Sequence, residues 1–114
     1  MLILNDPPYG TERSYNGLRL AINLLKKEPK PELRIFLVGD AASCAKAGQE
    51  TPNGFYNIEK MLKAVGARGG VVGVCGSCMD ARGLTDGDLT ASTRRSSLDE
   101  VIEWTLWADK VLVF

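Results

Sequence analysis

Short, largely apolar segments recur along the chain and constrain its fold more than any other feature. They occupy residues 2–4, 32–38, 71–74 and 110–114. A strand that is apolar at consecutive positions, rather than at alternate ones, is typical of a parallel sheet covered on both faces. The four segments therefore predict buried strands. Helices are expected between them, because parallel strands need long crossover connections.

The stretches between these strands show the apolar periodicity of amphipathic helices. A first helix is expected to end near residue 27, before a proline-rich stretch. A second helix is expected after a cap at Asn53 or Asn57, and a last one from Ser96 or Ser97 to residue 108. The apolar positions of the first two helices are Tyr15, Leu18, Ala21, Ile22 and Leu25, and then Ile58, Met61, Leu62 and Val65.

This alternation of strands and helices predicts an α/β fold. We expect three layers, with helices on both faces of a mainly parallel sheet of four to five strands. The fifth strand would lie within residues 84–92, and residues 41–54 are expected to be mainly a loop. A chain of 114 residues with 45% hydrophobic residues is expected to form a single domain, residues 1–114, with its own core.

Charge and composition exclude several classes of function. Basic and acidic residues both number 14, so direct nucleic-acid binding and attachment to an acidic membrane surface are not expected. No apolar run approaches the roughly 20 residues that cross a bilayer, and the start of the chain has no signal-peptide pattern. The chain has no histidine, which excludes Cys–His and Ser–His–Asp catalysis. An odd number of cysteines, three, favours a reducing compartment and hence the cytoplasm.

The segment Cys75-Gly76-Ser77-Cys78 carries the strongest chemical signal. It follows the strand at residues 71–74, and ligands collect beyond the carboxyl ends of parallel strands. A thiol reacts as its thiolate, whose pKa falls near cations and helix N-termini. Cys78 lies in a polar turn four residues before Arg82, so we expect it to be the working thiol. Cys75 ends an apolar strand, so we expect it to ionise less readily and to resolve a modified Cys78.

Further binding residues are expected at the same edge of the sheet. The loop after the first strand contains Asn5 and Tyr9, and Asp40 follows the second strand. The cysteine turn adds Asp80 and Arg82. Because each of these segments follows a parallel strand, we expect them to form the walls of one small cleft beside the cysteines.

Other features favour structural interpretations. Cys44, in a segment of small residues, is expected to be a buried core residue. A zinc site would have to combine Cys44 and a carboxylate with the Cys-x-x-Cys, which is a poor match to usual ligand sets, so no metal is expected. Arg94 and Arg95 are expected to face water from a loop.

A series of motifs covers almost the whole chain. They are Asn5-Asp6-Pro7-Pro8-Tyr9-Gly10 with Glu12, Leu18-Arg19-Leu20-Ala21, Phe36-Leu37 with Asp40-Ala41, Gly54-Phe55-Tyr56-Asn57-Ile58 before Met61-Leu62, Cys75-Gly76-Ser77-Cys78-Met79-Asp80-Ala81-Arg82-Gly83, Trp104-Thr105-Leu106, and Ala108-Asp109-Lys110-Val111-Leu112. In this order and spacing they resemble the DsrE/DsrF-like family of small sulfur-relay proteins, most closely its YchN-like branch.

The resemblance implies a three-layer α/β fold and a homo-oligomer, a trimer or a hexamer. It also implies that a cysteine matching Cys78 carries sulfur as a persulfide, with a sulfur donor or acceptor protein as partner and without a cofactor. Cys44 lies outside the pattern. Two alternatives remain open: a thiol–disulfide switch or reductase that uses both cysteines of the Cys-x-x-Cys, and a non-catalytic oligomeric protein that binds a ligand.

Apolar side chains outside the helical stripes independently indicate self-association. Leu20 and Leu24 lie off the apolar face of the first helix. In the last helix, Trp107 is expected among acidic residues, away from the apolar positions Leu98, Val101 and Ile102. Apolar groups outside the core of two helices predict a buried contact between subunits.

Overall fold

A single sheet of five parallel strands forms the centre of the computed structural model, which describes residues 1–114. Each neighbouring pair of strands is parallel, and the spatial order is β4-β3-β2-β1-β5. The expected α/β class, with a mainly parallel sheet, is confirmed. The strands are β1 (Leu2–Leu4), β2 (Arg34–Leu37), β3 (Val71–Cys75), β4 (Thr93–Ser96) and β5 (Leu112–Val113).

Four α-helices and three short 3-10 turns connect the strands. Asn57 caps the second helix and Ser97 the last, which confirms one of the two caps expected for each. Residues 84–92 contain a 3-10 turn rather than the expected additional strand, because that strand, β4, begins only at Thr93. The helices are α1 (Arg13–Leu24), α2 (Ile58–Ala67), α3 (Gly76–Asp80) and α4 (Leu98–Trp107), and the 3-10 turns span Gly39–Ala45, Pro52–Gly54 and Asp86–Asp88.

Side chains of the central strands alternate between two cores, one on each face of the sheet. The larger core lies under α1 and α2, and it receives the even-numbered residues of β1 and β3 and the odd-numbered residues of β2. The smaller core lies under α4 and contains Phe36 and Trp104, whose rings meet edge to face. Gly73 adjoins the same indole. A Cβ there would lie 3.0 Å from the Trp104 ring, so the absent side chain lets α4 lie close to the sheet.

The exposed face of α4 differs from the sequence-based expectation. Val101 and Trp104 pack against the smaller core, whereas Leu98 and Ile102 are 71% and 48% exposed. The apolar spacing in the sequence had therefore predicted two surface residues to be core residues. Leu106, 83% exposed, continues this exposed stripe at a spacing of four residues. No helix is long and apolar enough to span a membrane.

The other apolar residues expected at a subunit contact are partly covered within the chain. Leu20, Leu24 and Trp107 line one cavity of about 550 Å³. The Arg34 guanidinium lies 3.9 Å from the centre of the Trp107 ring and covers one of its faces. The indole therefore packs against a cation of β2 rather than projecting among acidic residues.

The Asn57 cap provides a test of local packing. Its side chain accepts a hydrogen bond from the Lys60 amide at 2.9 Å and donates one to the Gln49 carbonyl at 2.8 Å, and the residue is buried. Asn57→Ala should lower the free energy of unfolding by about 2 kcal/mol, because it removes a helix cap and also the donor to the partly buried Gln49 carbonyl. Urea unfolding measures this.

Ser97→Ala is the matched control. Ser97 is exposed and accepts only the Glu100 amide, at 3.3 Å, so its loss should cost about 1 kcal/mol or less. If Asn57→Ala and Ser97→Ala lowered the free energy of unfolding equally, the buried side-chain amide of Asn57 would contribute no more than an exposed helix cap.

Candidate functional site

Cys75 is the last residue of β3, and the alternation of the strand determines where its thiol points. Val74 enters the larger core, so Cys75 faces the opposite side of the sheet and packs against the smaller core. It lines an open cavity of about 570 Å³ whose walls are apolar on the sheet side and polar at Ser77 and Arg95. The remaining lining residues are Ile3, Phe36, Val38, Gly76, Asp80, Ser96, Ser97, Leu98 and Val101.

Cys78 lies one turn further, in α3, and packs against the larger core instead. Its Sγ accepts a hydrogen bond from the Gly39 amide at 3.1 Å. Arg82 donates to the Cys78 carbonyl at 3.0 Å and binds the Asp40 carboxylate through two nitrogens, at 2.6 and 3.1 Å. The two thiols of the Cys-x-x-Cys therefore have different surroundings, and only Cys75 lines the cavity.

The surroundings of the two thiols favour ionisation of Cys75. Burial opposes its ionisation, but hydrogen bonds from the Ser77 hydroxyl, 3.3 Å away, from the Cys78 thiol and from two backbone amides lower the pKa of Cys75. Burial raises the pKa of Cys78, and the proximity of Cys75 raises it further, against weaker opposing effects of Gly39 and Arg82. The order expected from the sequence is therefore reversed: the strand-end thiol is the stronger acid.

Arg95 is a site residue that sequence reasoning missed. It belongs to β4, not to a loop, and joins the edge strand to the cysteine turn. Its guanidinium donates to the Gly76 carbonyl at 3.2 Å, to Asp80 at 2.8 Å and to Asp86 at 3.0 Å. These contacts lower the pKa of Asp80 and raise that of Arg95. A sequence signal for it was the position of Arg95 two residues before the Ser97 helix cap.

The expected binding residues do not all converge. Asp40 and Arg82 lie beside Cys78, and Asp80 lies on the rim of the Cys75 cavity. The Asn5 carbonyl accepts the Ala41 amide at 3.2 Å, which brings its loop against the segment after β2, but its side-chain amide donates to the last residue of the chain.

Tyr9 belongs to a different surface. Its hydroxyl donates to Gln49 at 2.6 Å and accepts the Ile58 amide at 3.3 Å, and its ring meets Tyr56 edge to face. It lines an aromatic cavity that contains neither cysteine of the Cys-x-x-Cys. The expectation that the whole loop after β1 forms a wall of the cysteine cleft is therefore wrong at Tyr9, because the turn-rich segment carries that ring toward α2.

Cys44 is a core residue, as expected. It is fully buried, and its thiol donates to the Asp6 carbonyl at 3.6 Å. Burial raises the pKa of Cys44 to about 12, so this thiol is un-ionised near neutral pH and contributes no nucleophile.

Comparison with known proteins places the chain in a family. All of residues 1–114 match the DsrE/DsrF-like family. The chain belongs to this family. It is similar to Protein YchN of Escherichia coli strain K12, with 40% identity over 114 residues that cover 100% of this chain and 97% of that protein. An uncharacterized protein of Methanopyrus kandleri is 31% identical over 99% of this chain and 91% of its own length.

Solved structures agree with this assignment. The crystal structure of the ychN protein from E. coli superimposes with a TM-score of 0.91 and 39% identity, covering 99% of this chain and 97% of that chain. A conserved protein of unknown function from Bacteroides thetaiotaomicron has a TM-score of 0.69 at 14% identity, over 99% and 93% of the two chains, and shares the fold. The resemblance to the family and to its YchN-like branch is confirmed.

The reversed acidity of the two thiols predicts a pH-dependent order of alkylation. Because its pKa is lowered, Cys75 should reach half of its maximal rate with iodoacetamide at a lower pH than Cys78, whose pKa is raised. Peptide mass spectrometry after timed alkylation measures both rates. Ser77→Ala removes one hydrogen bond to Cys75 and should move its profile to higher pH, while Cys44 serves as an unreactive internal reference. Faster alkylation of Cys78 at low pH would contradict the assignment.

Proposed function

We propose that the protein is a small cytoplasmic sulfur carrier that holds persulfide sulfur on its Cys75–Cys78 pair, within a homo-oligomer. The family is associated with sulfur relay in general. The proposal for this chain is therefore argued from its own residues. The observation that carries the proposal is a thiol of lowered pKa on an open cavity at the carboxyl edge of a parallel sheet. A second thiol, that of Cys78, lies three residues away and accepts a hydrogen bond from the Gly39 amide.

The chemistry requires only an activated thiolate and a sulfur donor. The Cys75 thiolate attacks the outer sulfur of a donor persulfide, R–S–SH, so that a new S–S bond forms on the protein. The S–S bond of the donor breaks, and R–S⁻ leaves. Oxidation states are conserved, because one persulfide is exchanged for another and no external oxidant is needed. Discharge to an acceptor protein is the same reaction in reverse.

A thiol–disulfide switch is the second candidate. The observation that favours it is the contact between the two thiols, since each shifts the pKa of the other. In that reaction Cys78 attacks the inner sulfur of a Cys75 persulfide, the outer sulfur leaves as hydrogen sulfide, and both cysteines end in a disulfide. A third candidate function, ligand binding by an oligomer, requires no chemical change at either cysteine.

Intact-mass spectrometry separates the three functions. After exposure to glutathione persulfide and removal of excess donor, the carrier should gain one sulfur atom per chain and lose it on treatment with dithiothreitol. A Cys75→Ser, Cys78→Ser double variant should gain none, whereas Cys44→Ala should behave as the unsubstituted protein does.

Two outcomes would contradict the carrier function. A loss of two hydrogens without added sulfur would indicate the switch. An unchanged mass would leave only ligand binding.

The exposed stripe of α4 supports self-association. Leu98, Ile102 and Leu106 lie on successive turns of one helix face and are all exposed. The edge strand β5 adds the exposed side chain of Val113. Contiguous apolar surface of this kind marks an interaction site, and a second copy of the chain is the partner proposed here. Leu98 also lines the Cys75 cavity, so such a contact would adjoin the reactive thiol.

Substitution in this stripe tests the assembly. The unsubstituted protein should have a multimeric mass by light scattering at micromolar concentration, in keeping with a trimer or hexamer. Leu106→Lys places a charge within the proposed contact and should shift the mass toward the monomer. Asn16→Lys adds the same charge at an exposed position of α1 and should leave the mass unchanged. A monomeric mass for the unsubstituted chain would contradict the proposal.

A further inference from the structure

We infer that the chain has a second binding site, which takes the alkylated ammonium group of a small organic cation. The site is the aromatic cavity at Tyr9, whose volume is about 440 Å³. All three tyrosines of the chain line it and none of the cysteines does, so the site is separate from the persulfide chemistry proposed above. It lies on the side of the sheet that carries α1, opposite the α4 stripe proposed for self-association. The lining residues include Pro8, Tyr9, Thr11, Glu12, Tyr15 and Tyr56.

Two segments that are distant in the sequence meet at this cavity. One is the loop after β1, with Tyr9 and Glu12, and the other is the segment before α2, with Tyr56. The Tyr9 hydroxyl accepts the Ile58 amide at 3.3 Å, which joins the loop to the start of α2. The centres of the Tyr9 and Tyr56 rings lie 6.3 Å apart at an interplanar angle of 75°. The two rings therefore form adjoining walls of the cavity.

The backbone holds Tyr56 in an unusual conformation. Its φ is 46°, in the left-handed region, which a bulky side chain rarely adopts. Such strain persists only where the surrounding structure imposes it, and it is concentrated at active sites and ligand sites. The residue is 52% exposed, so packing of the ring in the core does not account for the conformation. The conformation instead sets the ring against Tyr9, where it completes the cavity.

The charge on the cavity wall favours a cationic ligand. Glu12 is the only charged residue that lines the cavity. Its side chain does not cap α1 and forms no salt bridge, so its negative charge is not paired within the chain. The faces of tyrosine rings also carry negative partial charge and attract cations. An anionic ligand would be repelled by both.

The cations of the chain itself leave two of the three rings free. The Arg19 guanidinium lies 5.6 Å from the centre of the Tyr15 ring, so that ring already has a cation–π partner. No arginine or lysine lies over the ring of Tyr9 or Tyr56. The faces of these two rings are therefore available to the cation of a ligand.

The remaining contacts favour an alkylated ammonium over a primary one. A primary ammonium needs acceptors for three N–H groups. The Tyr9 hydroxyl already makes two hydrogen bonds, to Gln49 and from the Ile58 amide, so this residue offers a ligand mainly its ring. Methyl groups on the nitrogen need apolar contacts instead, which Pro8 and the tyrosine rings supply. Glu12 balances the positive charge without a hydrogen bond, as in other aromatic sites for quaternary ammonium groups.

Binding of choline to the full chain tests the site. The matched control ligand is the neutral alcohol in which a carbon atom replaces the ammonium nitrogen of choline and the shape is kept. Because all three tyrosines line the cavity, each ring resonance of tyrosine-labelled protein in nuclear magnetic resonance reports on it. Choline should shift these resonances to saturation. Its dissociation constant should be lower than that of the alcohol by about fivefold or more, since only choline gains the cation–π attraction.

Substitutions assign the binding to named groups. Tyr56→Leu removes the ring but keeps an apolar side chain, so it should weaken choline binding about fivefold and leave the alcohol nearly unaffected. Tyr56→Phe keeps the ring and should bind choline as the unsubstituted chain does. Glu12→Gln should weaken only choline binding, with a smaller loss at high salt. Phe55→Leu is the matched control, because Phe55 is exposed and lies outside the cavity, and it should change neither affinity.

Three results would overturn the inference. Equal affinities for choline and the alcohol would show a cavity without preference for a cation. An unchanged choline affinity in Tyr56→Leu would place the binding elsewhere. The absence of any shift with choline would show that the cavity takes no alkylated ammonium. Circular dichroism spectra that match across the variants establish that they are folded.

Discussion

Burial of β3 between two layers of helices is the constraint on which the site depends. Because β3 has β2 and β4 as neighbours and a core on each face, its side chains must alternate between those cores. Val74 fills the larger core, so Cys75 must face the smaller one. A shift of one residue in the register would exchange the two and bury the reactive thiol under α1 and α2.

The edge strand β4 holds this arrangement from outside. Ser96 pairs with Cys75 in the strand register, and Arg95 ties Gly76 and Asp80 to the edge of the sheet. An edge strand that is rich in arginine also resists pairing with another sheet. At the opposite edge, β5 carries exposed apolar side chains. The two edges of the sheet therefore differ in chemistry: the β4 edge carries arginines and the β5 edge carries exposed apolar side chains.

Much of the fold could be predicted from local patterns, but the different surroundings of the two thiols could not. Consecutive apolar residues identified β1, β2 and β3, while the polar composition of residues 93–96 concealed β4. The apolar pattern of α4 predicted that Leu98 and Ile102 belong to its buried face. Both side chains are exposed in the structure. Periodicity shows that a face is apolar, but it does not distinguish a core from a subunit contact.

The sequence by itself determined the fold class, the family and the place of the Cys-x-x-Cys at a strand end, because these follow from local periodicity and the order of motifs. Tertiary structure alone decided which thiol is the stronger acid. The pKa of a thiol depends on the groups around it, and Gly39 and Arg95 reach the cysteine turn from two distant segments, while Ser77 contacts Cys75 from within the turn. Their distances in space, rather than in the chain, set the chemistry of Cys75 and Cys78.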